Sequence, residues 1–236
     1  MKKNIYVLMV MTVLLTLTSC VKIVRHTNRS VEQTKSINVR QFERIQVKAF
    51  CDVHYTQADS VSVKFVGSQR ALDHLRTISD GTTLTIEQSK RFKWLNLGQD
   101  DDVEIYITSP DLTGVAMAGA GDFVVDGKLD TDTMTVKMEG TGDIQMNDLI
   151  CDKVILNLKG VGDIDLKNVT ASQTQITLKG VGDVKVHFNQ CDLVDCSLEG
   201  VGDVKLSGKV KNMKRSIRGT GSIDLAGLKV DNDISE

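Results

Sequence analysis

The sequence is poor in aromatic residues, in proline and in any surplus of one charge. Aromatics make up 4% of the 236 residues, with one tryptophan, which leaves few flat side chains for stacking on sugars or nucleobases. The formal net charge is −2, and it becomes −4 once Lys2 and Lys3 are set aside with the leader, leaving 27 basic residues against 31 acidic. No basic surplus points to nucleic acid or to an anionic surface as a partner. Burial of the whole chain in a membrane is excluded by composition. Also missing are the local signatures of common catalytic sites, since there is no nucleophile elbow, no HExxH helix and no phosphate loop. What the chain does have is 19 glycines, 41% hydrophobic residues and 25% charged residues, the balance of a globular chain with a real core.

Residues 1–19 have the layout of an export signal. Lys2 and Lys3 form a basic head, Ile5 to Leu17 is an apolar stretch too short for a comfortable transmembrane helix, and the run ends in Leu17-Thr18-Ser19-Cys20. That ending resembles the lipobox of bacterial lipoproteins. The resemblance implies cleavage before Cys20 and acylation of its thiol, giving a chain held to a membrane by its lipid. Val21 after the cysteine, in place of Asp, implies the outer membrane, with the domain facing the periplasm or the surface. Residues 20–35 then read as a polar tether.

The strongest signal is a repeat. Gly119-Ala-Gly-Asp122, Gly140-Thr-Gly-Asp143, Gly160-Val-Gly-Asp163, Gly180-Val-Gly-Asp183, Gly200-Val-Gly-Asp203 and Gly219-Thr-Gly-Ser222 recur at spacings of 21, 20, 20, 20 and 19 residues. A fixed period near twenty indicates a solenoid. Within one unit Val154, Leu156, Leu158, Gly160, Gly162, Ile164 and Leu166 alternate with polar neighbours, and this period of two indicates strand. The alternation runs through Gly160, Gly162 and Asp163, and again through Gly180, Gly182 and Asp183. The glycines are therefore expected to be inward-facing corner residues, where a side chain has no room.

Stacked in register, the units form columns. Met117, Met138, Leu158, Leu178, Leu198 and Ile217 precede the corner on the inward side, and Phe123, Ile144, Ile164, Val184, Val204 and Ile223 follow it. Ala118, Glu139, Lys159, Lys179, Glu199 and Arg218 face outward as a strip suited to solvent. The expected fold is all-β: a right-handed parallel β-helix or β-roll of about six coils, rising about 29 Å at about 4.8 Å per strand, over residues 111–230. Residues 36–110 read as a less regular β region that caps it, with a soft boundary near Pro110, and residues 231–236 as a tail. In that region Ala49-Phe50-Cys51-Asp52-Val53 looks like a degenerate coil, Gln69 to Ile78 like a short helix, and Arg91 to Asp102 like a loop.

Four cysteines remain after Cys20. Cys151 and Cys191 share a repeat position two coils apart, about 9.6 Å, beyond the reach of a disulfide. Cys196 aligns with Val136, Leu156 and Ile176. All four, Cys51 included, are expected as buried free thiols behaving as small hydrophobes.

The lipobox, the Phe42 to Val47 opening, the Asp52-Val53 step, the Ser109-Pro110-Asp111-Leu112 lead-in and the iterated GxGD units together resemble the bacterial GIN-domain family of autotransporter adhesin heads, over roughly residues 36–230. The resemblance implies a β-helical envelope protein with an adhesive or scaffolding role, and it brings no catalytic residues with it. Departures are Ser222 for the last Asp, and Ala49 and Cys51 for two glycines. No autotransporter barrel is expected in the chain as far as Glu236.

Three groups of residues are chemical candidates. The outward column Asp122, Asp143, Asp163, Asp183 and Asp203 reads as a set of Asx turns, each serving its own corner; the competing reading is a Ca²⁺ ladder relieving carboxylate repulsion. His26, His54, His74 and His187 have no recurring spacing, so no metal site and no cofactor is expected. Arg91, Phe92, Lys93 and Trp94 are the densest basic and aromatic cluster, either contacting a glycan or protein partner or sealing the solenoid end. Two functions from different classes follow. One is a non-catalytic binding module. The other is a carbohydrate-active β-helix enzyme, a polysaccharide lyase or hydrolase, which would need acid residues about 5–10 Å apart in a groove.

Overall fold

Alternating apolar and polar residues put one side of every strand into a core and the other toward water, and strands of this kind stack when each can hydrogen-bond to the next. In the computed structural model, which describes residues 32–89 and 102–235, the strands stack as one wrapped fifteen-stranded sheet. In chain order the elements are β1 (Glu32–Ser36), β2 (Arg44–Lys48), β3 (Asp52–Gln57), β4 (Ser62–Ser68), α1 (Gln69–Asp73), β5 (Leu75–Ser79), β6 (Thr83–Gln88), β7 (Val103–Ser109), β8 (Gly114–Met117), β9 (Phe123–Asp130) and β10 (Thr133–Met138). Five long strands follow: β11 (Ile144–Leu158), β12 (Ile164–Leu178), β13 (Val184–Leu198), β14 (Val204–Ile217) and β15 (Ile223–Ser235). The chain is an all-β parallel solenoid.

From β11 onward each coil is built from one long strand bent in the middle, whereas the coils below it use separate short strands. The first half of β11 pairs in parallel with β9, Ile144 opposite Phe123, and its second half pairs with β10, Leu158 opposite Met138. Within the first half the register shifts between Met146 and Asp148, a bulge that adds to the bending of the strand. A third, very short side is a single bridge per coil, running from Phe50 through Ala120, Thr141, Val161, Val181 and Val201 to Thr220. Inside, the columns on either side of the corner are buried along the stack, with Leu158, Leu178, Leu198, Ile164, Val184 and Val204 inaccessible to solvent. One member departs from expectation. Ile217 is 49% exposed, and among the described residues β15 pairs with β14 as far as Arg215, short of Ile217.

The coils do not stack in chain order at the N-terminal end. The corner Ala49-Phe50-Cys51-Asp52, with β2 before it and β3 after it, sits directly beneath the coil of β8 and β9: Arg44 lies opposite Gly114 and Val53 opposite Phe123. The degenerate coil is therefore a true coil, and the chain between Gln57 and Gly114 is an excursion from it. That excursion builds the coil below, where β6 pairs in parallel with β2 and β7 with β3. It also builds the end cap. The antiparallel pairs β1 with β4, β4 with β7 and β5 with β6 all lie at this end, where antiparallel pairing interrupts the parallel ladder.

Several expected boundaries move. Helix α1 is shorter than the expected span of Gln69 to Ile78: Ser68 Oγ accepts the Ala71 N–H at 3.1 Å, Ala71 and Leu72 are buried, and the chain turns into β5 at Leu75 because its backbone pairs with β6. Residues 32–35, assigned to the tether, form β1 together with Ser36, and residues 231–235, assigned to a tail, complete β15. Pro110 marks no seam. A single core cluster runs from Phe42 to Ile223, and Gln57 Nε2 ties the lead-in down by donating to the Pro110 and Asp130 carbonyls, each at 2.8 Å.

The four described cysteines are free and buried. Cys151 pairs with Ala171 and Ala171 with Cys191, so an alanine rung separates the two thiols. Burial pushes the Cys51, Cys151 and Cys196 thiols from 9.0 up to about 12, with the adjacent Asp52, Asp152 and Asp195 carboxylates acting in the same direction.

Candidate functional site

The GxGD corner is the element that repeats without a break, so its geometry decides what the molecule presents. A Cβ on Gly160 would lie 2.1 Å from the Gly140 carbonyl oxygen, and one on Gly162 would lie 1.9 Å from that of Gly142. Gly162 also has φ +138°, a conformation open to glycine at little expense. These positions exclude a side chain for a reason other than the expected one. The obstacle is the backbone of the neighbouring coil, along the stack, rather than the core. Hydrogen bonds lock that approach, since Val161 N donates to Gly140 O at 2.9 Å and Gly162 N donates to Val181 O at 3.0 Å.

The aspartates serve the stack in the same way. Asp143 N donates to Asp122 Oδ1 at 2.9 Å, Asp163 N to Asp143 Oδ1 at 2.9 Å, Asp183 N to Asp163 Oδ1 at 2.8 Å and Asp203 N to Asp183 Oδ1 at 2.9 Å. Each carboxylate thus accepts the N–H of the next coil, and the expectation that it closes an Asx turn in its own corner is corrected. The backbone N–H groups here point along the stack, so the acceptor has to come from the neighbouring coil. Asp52 serves Asp122 N at 2.8 Å, which explains why this residue persists in a corner that has lost its glycines. Ser222 ends the ladder as a donor, its N and Oγ reaching Asp203 Oδ1 at 2.7 and 2.8 Å. The remaining oxygen of Asp163 lies 3.6 Å from Lys185 Nζ. Among the described residues no group of three His, Cys, Asp or Glu side chains converges to hold a metal ion.

Beside these corners runs a groove of about 1040 Å³, along the solenoid from Lys48 and Phe50 to Arg218 and Thr220. Its floor is the glycine backbone. One wall is the single-bridge column, in which Val161, Val181 and Val201 are 52%, 50% and 50% exposed. The other wall is the column of Glu139, Lys159, Lys179, Glu199 and Arg218, read from the sequence as a strip for solvent. Lys179 Nζ pairs with Glu199 Oε2 at 3.1 Å, and among the described residues no ion pair engages Lys48, Lys159 or Arg218. Glu139 and Glu199 are three coils apart, about 14 Å. The sequence did carry a signal for this groove: valine recurs at an outward position, where water should favour a polar residue.

A second polar grouping lies on a different side. The His54 ring stacks on Tyr106 with centroids 5.1 Å apart, His54 Nδ1 is 3.6 Å from Asp126 Oδ2, and the Tyr106 hydroxyl donates to Glu104. The residues expected to contact a partner, Arg91, Phe92, Lys93 and Trp94, lie outside the described residues, as do Cys20 and His26.

The comparisons with known proteins agree with this architecture. A putative adhesin from Bacteroides fragilis has 24% sequence identity and a TM-score of 0.69, with 86% of this chain and 97% of that chain covered. A protein described as a putative lipid binding protein, from Parabacteroides distasonis, has 18% identity and a TM-score of 0.54 over 86% of this chain and 96% of its own. At these identities both show the fold. None of the curated proteins matches. The pattern of one family matches residues 41–187 and 156–234, thus spanning coils, corners and lead-in together. The chain belongs to that family, described as "Putative auto-transporter adhesin, head GIN domain".

Proposed function

We propose that this protein is an envelope lipoprotein, anchored through Cys20 in the outer membrane, whose solenoid is a non-catalytic binding module that takes a partner along the corner groove. The observation that carries the reading is the groove itself, a surface formed by the same positions of seven successive corners, Lys48 and Phe50 to Arg218 and Thr220. Repetition of one short motif gives a long uniform contact face, as solenoids use elsewhere, and individual residues in it have little of the distinctness that catalysis needs. The carboxylates support the same view. Glu139 and Glu199 are too far apart for the acid pair of a glycoside hydrolase, and Glu199 is already paired with Lys179. Membership of an adhesin-head family supports an adhesive role at the cell envelope.

The test has two arms. The full chain, expressed in a bacterial host, should partition with membranes, show an acylated Cys20 by mass spectrometry and lose membrane association as Cys20→Ser. An unmodified Cys20 would refute the anchor. Membrane-anchored protein should also bind members of an array of immobilised glycans and matrix proteins, and Val181→Asp, at the centre of the groove, should abolish that binding. Depolymerisation of a polysaccharide by the wild type, lost in Glu139→Gln, would establish an enzyme instead.

A further inference from the structure

We propose that the groove holds a single-chain anionic amphiphile, a long-chain fatty acid or its close relative, lying along the solenoid axis with its head beside Arg218 and its chain running over Val201, Val181 and Val161. The inference rests on the groove being the binding face. Three features point to this chemistry. The first is the floor, whose peptide groups are already engaged. Gly180 N donates to Leu158 O at 2.9 Å, and Gly180 O accepts from Val201 N at 2.9 Å; Gly160 repeats both bonds, with Met138 O at 2.9 Å and Val181 N at 3.0 Å. A peptide strand or a sugar lying there would meet partnered groups and could not build a ladder, whereas a hydrocarbon chain needs no such bonds.

The second feature is the difference between the two walls. Valine side chains, each about half exposed, rise along one wall at about 4.8 Å per coil. Lys159 and Lys179 stand on the other, where the alkyl stem of a lysine can cover hydrocarbon while its ammonium stays in water. The third is charge and length. Arg218 ends the charged wall without an ion pair among the described residues, one coil beyond Val201, and the groove's lining carries more cations than carboxylates in a chain whose net charge is negative. An anionic head is complementary to that end. From the coil of Arg218 to that of Val161 is three steps, about 14 Å. One acyl chain spans half of a hydrocarbon core about 30 Å thick, so the lengths agree.

The test uses the full chain anchored in neutral phosphatidylcholine vesicles and a fluorescent fatty acid, dansylamino-undecanoate, against protein-free vesicles as background. The expected result is a saturable rise in emission that oleate displaces and oleyl alcohol does not. Val181→Asp and Arg218→Glu should each weaken binding by about tenfold or more, while Lys167→Glu, outside the groove, should leave it unchanged. All three positions are exposed, so unchanged thermal unfolding would show that the variants fold. Absence of a saturable signal in the wild type, equal displacement by oleyl alcohol, or unaltered affinity in Val181→Asp would each overturn the proposal. The glycan and matrix array separates this failure from a failure of the binding-groove reading. If Val181→Asp loses array binding while the wild type takes up no fatty acid, the groove stands and the amphiphile falls; if Val181→Asp changes neither, both fall.

Discussion

Alanine substitution at three glycines separates two sources of stability in the corner. Gly127 has φ +79° and open space where a Cβ would go, so Gly127→Ala imposes only the left-handed backbone penalty, about 1–2 kcal/mol. Gly160 is not among the left-handed glycines, but its Cβ would sit 2.1 Å from Gly140 O and 2.8 Å from the Glu139 carbonyl carbon. Gly160→Ala therefore imposes overpacking alone, about 1–3 kcal/mol. Gly182 combines both, with φ +141° and a Cβ 2.0 Å from Gly162 O, an obstacle that is backbone and cannot swing aside. Gly182→Ala should thus destabilise by about 2–5 kcal/mol, the sum of the two effects, whereas Val181→Ser, at an exposed neighbour, should change stability by about 0.5 kcal/mol or less. For a chain of this size that corresponds to a fall in Tm of roughly 4–20 °C for Gly182→Ala. Thermal unfolding by circular dichroism, with urea midpoints compared at constant m-value, measures the series. A Gly182→Ala protein no less stable than Gly127→Ala would refute the reasoning, since it would mean that neighbouring coils can move apart freely and that the glycine is there for its φ alone.

The aspartate ladder predicts that Asp163→Asn, which keeps an oxygen for Asp183 N, is tolerated, while Asp163→Ala strips that N–H of its acceptor and costs about 1–3 kcal/mol; a calcium titration should leave the Tm of the wild type in place, and a calcium-dependent rise lost in Asp163→Asn would contradict the ladder. Alkaline pH should unfold the protein through its buried groups. Burial raises the Cys51, Cys151 and Cys196 thiols from 9.0 to about 12 and the Tyr55 hydroxyl from 10.0 to about 12. The folded state therefore holds protons that the unfolded chain releases, and the stability these groups contribute is complete below pH 9 and falls as pH rises from about 9 toward 12. Urea midpoints across that range should decline, and Cys196→Ala should flatten the decline; a midpoint independent of pH would refute the assignment.

What the sequence determined by itself is what depends on period. Alternation by two made the strands, recurrence by twenty made the coils, and the product of the two placed Leu158, Leu178 and Leu198 in one buried column and Cys151 two rungs from Cys191. These are local and additive features, because every coil repeats the same environment for the same residue. The tertiary structure alone decided what depends on neighbours outside that period. The coil of β6 and β7 lies beneath the coil of β2 and β3 although it comes later in the chain, since an excursion that caps the stack has to return under the coil it left. A residue pattern gives the side of the strand on which Asp163 lies, but its direction along the stack is set by where the next coil's N–H points. The groove needed both kinds of information. Its valine column and its charged column were each legible as outward positions, yet only the tight glycine corner between them, which brings adjacent coils into backbone contact and leaves no side chain to fill the gap, turns two strips of surface into two walls.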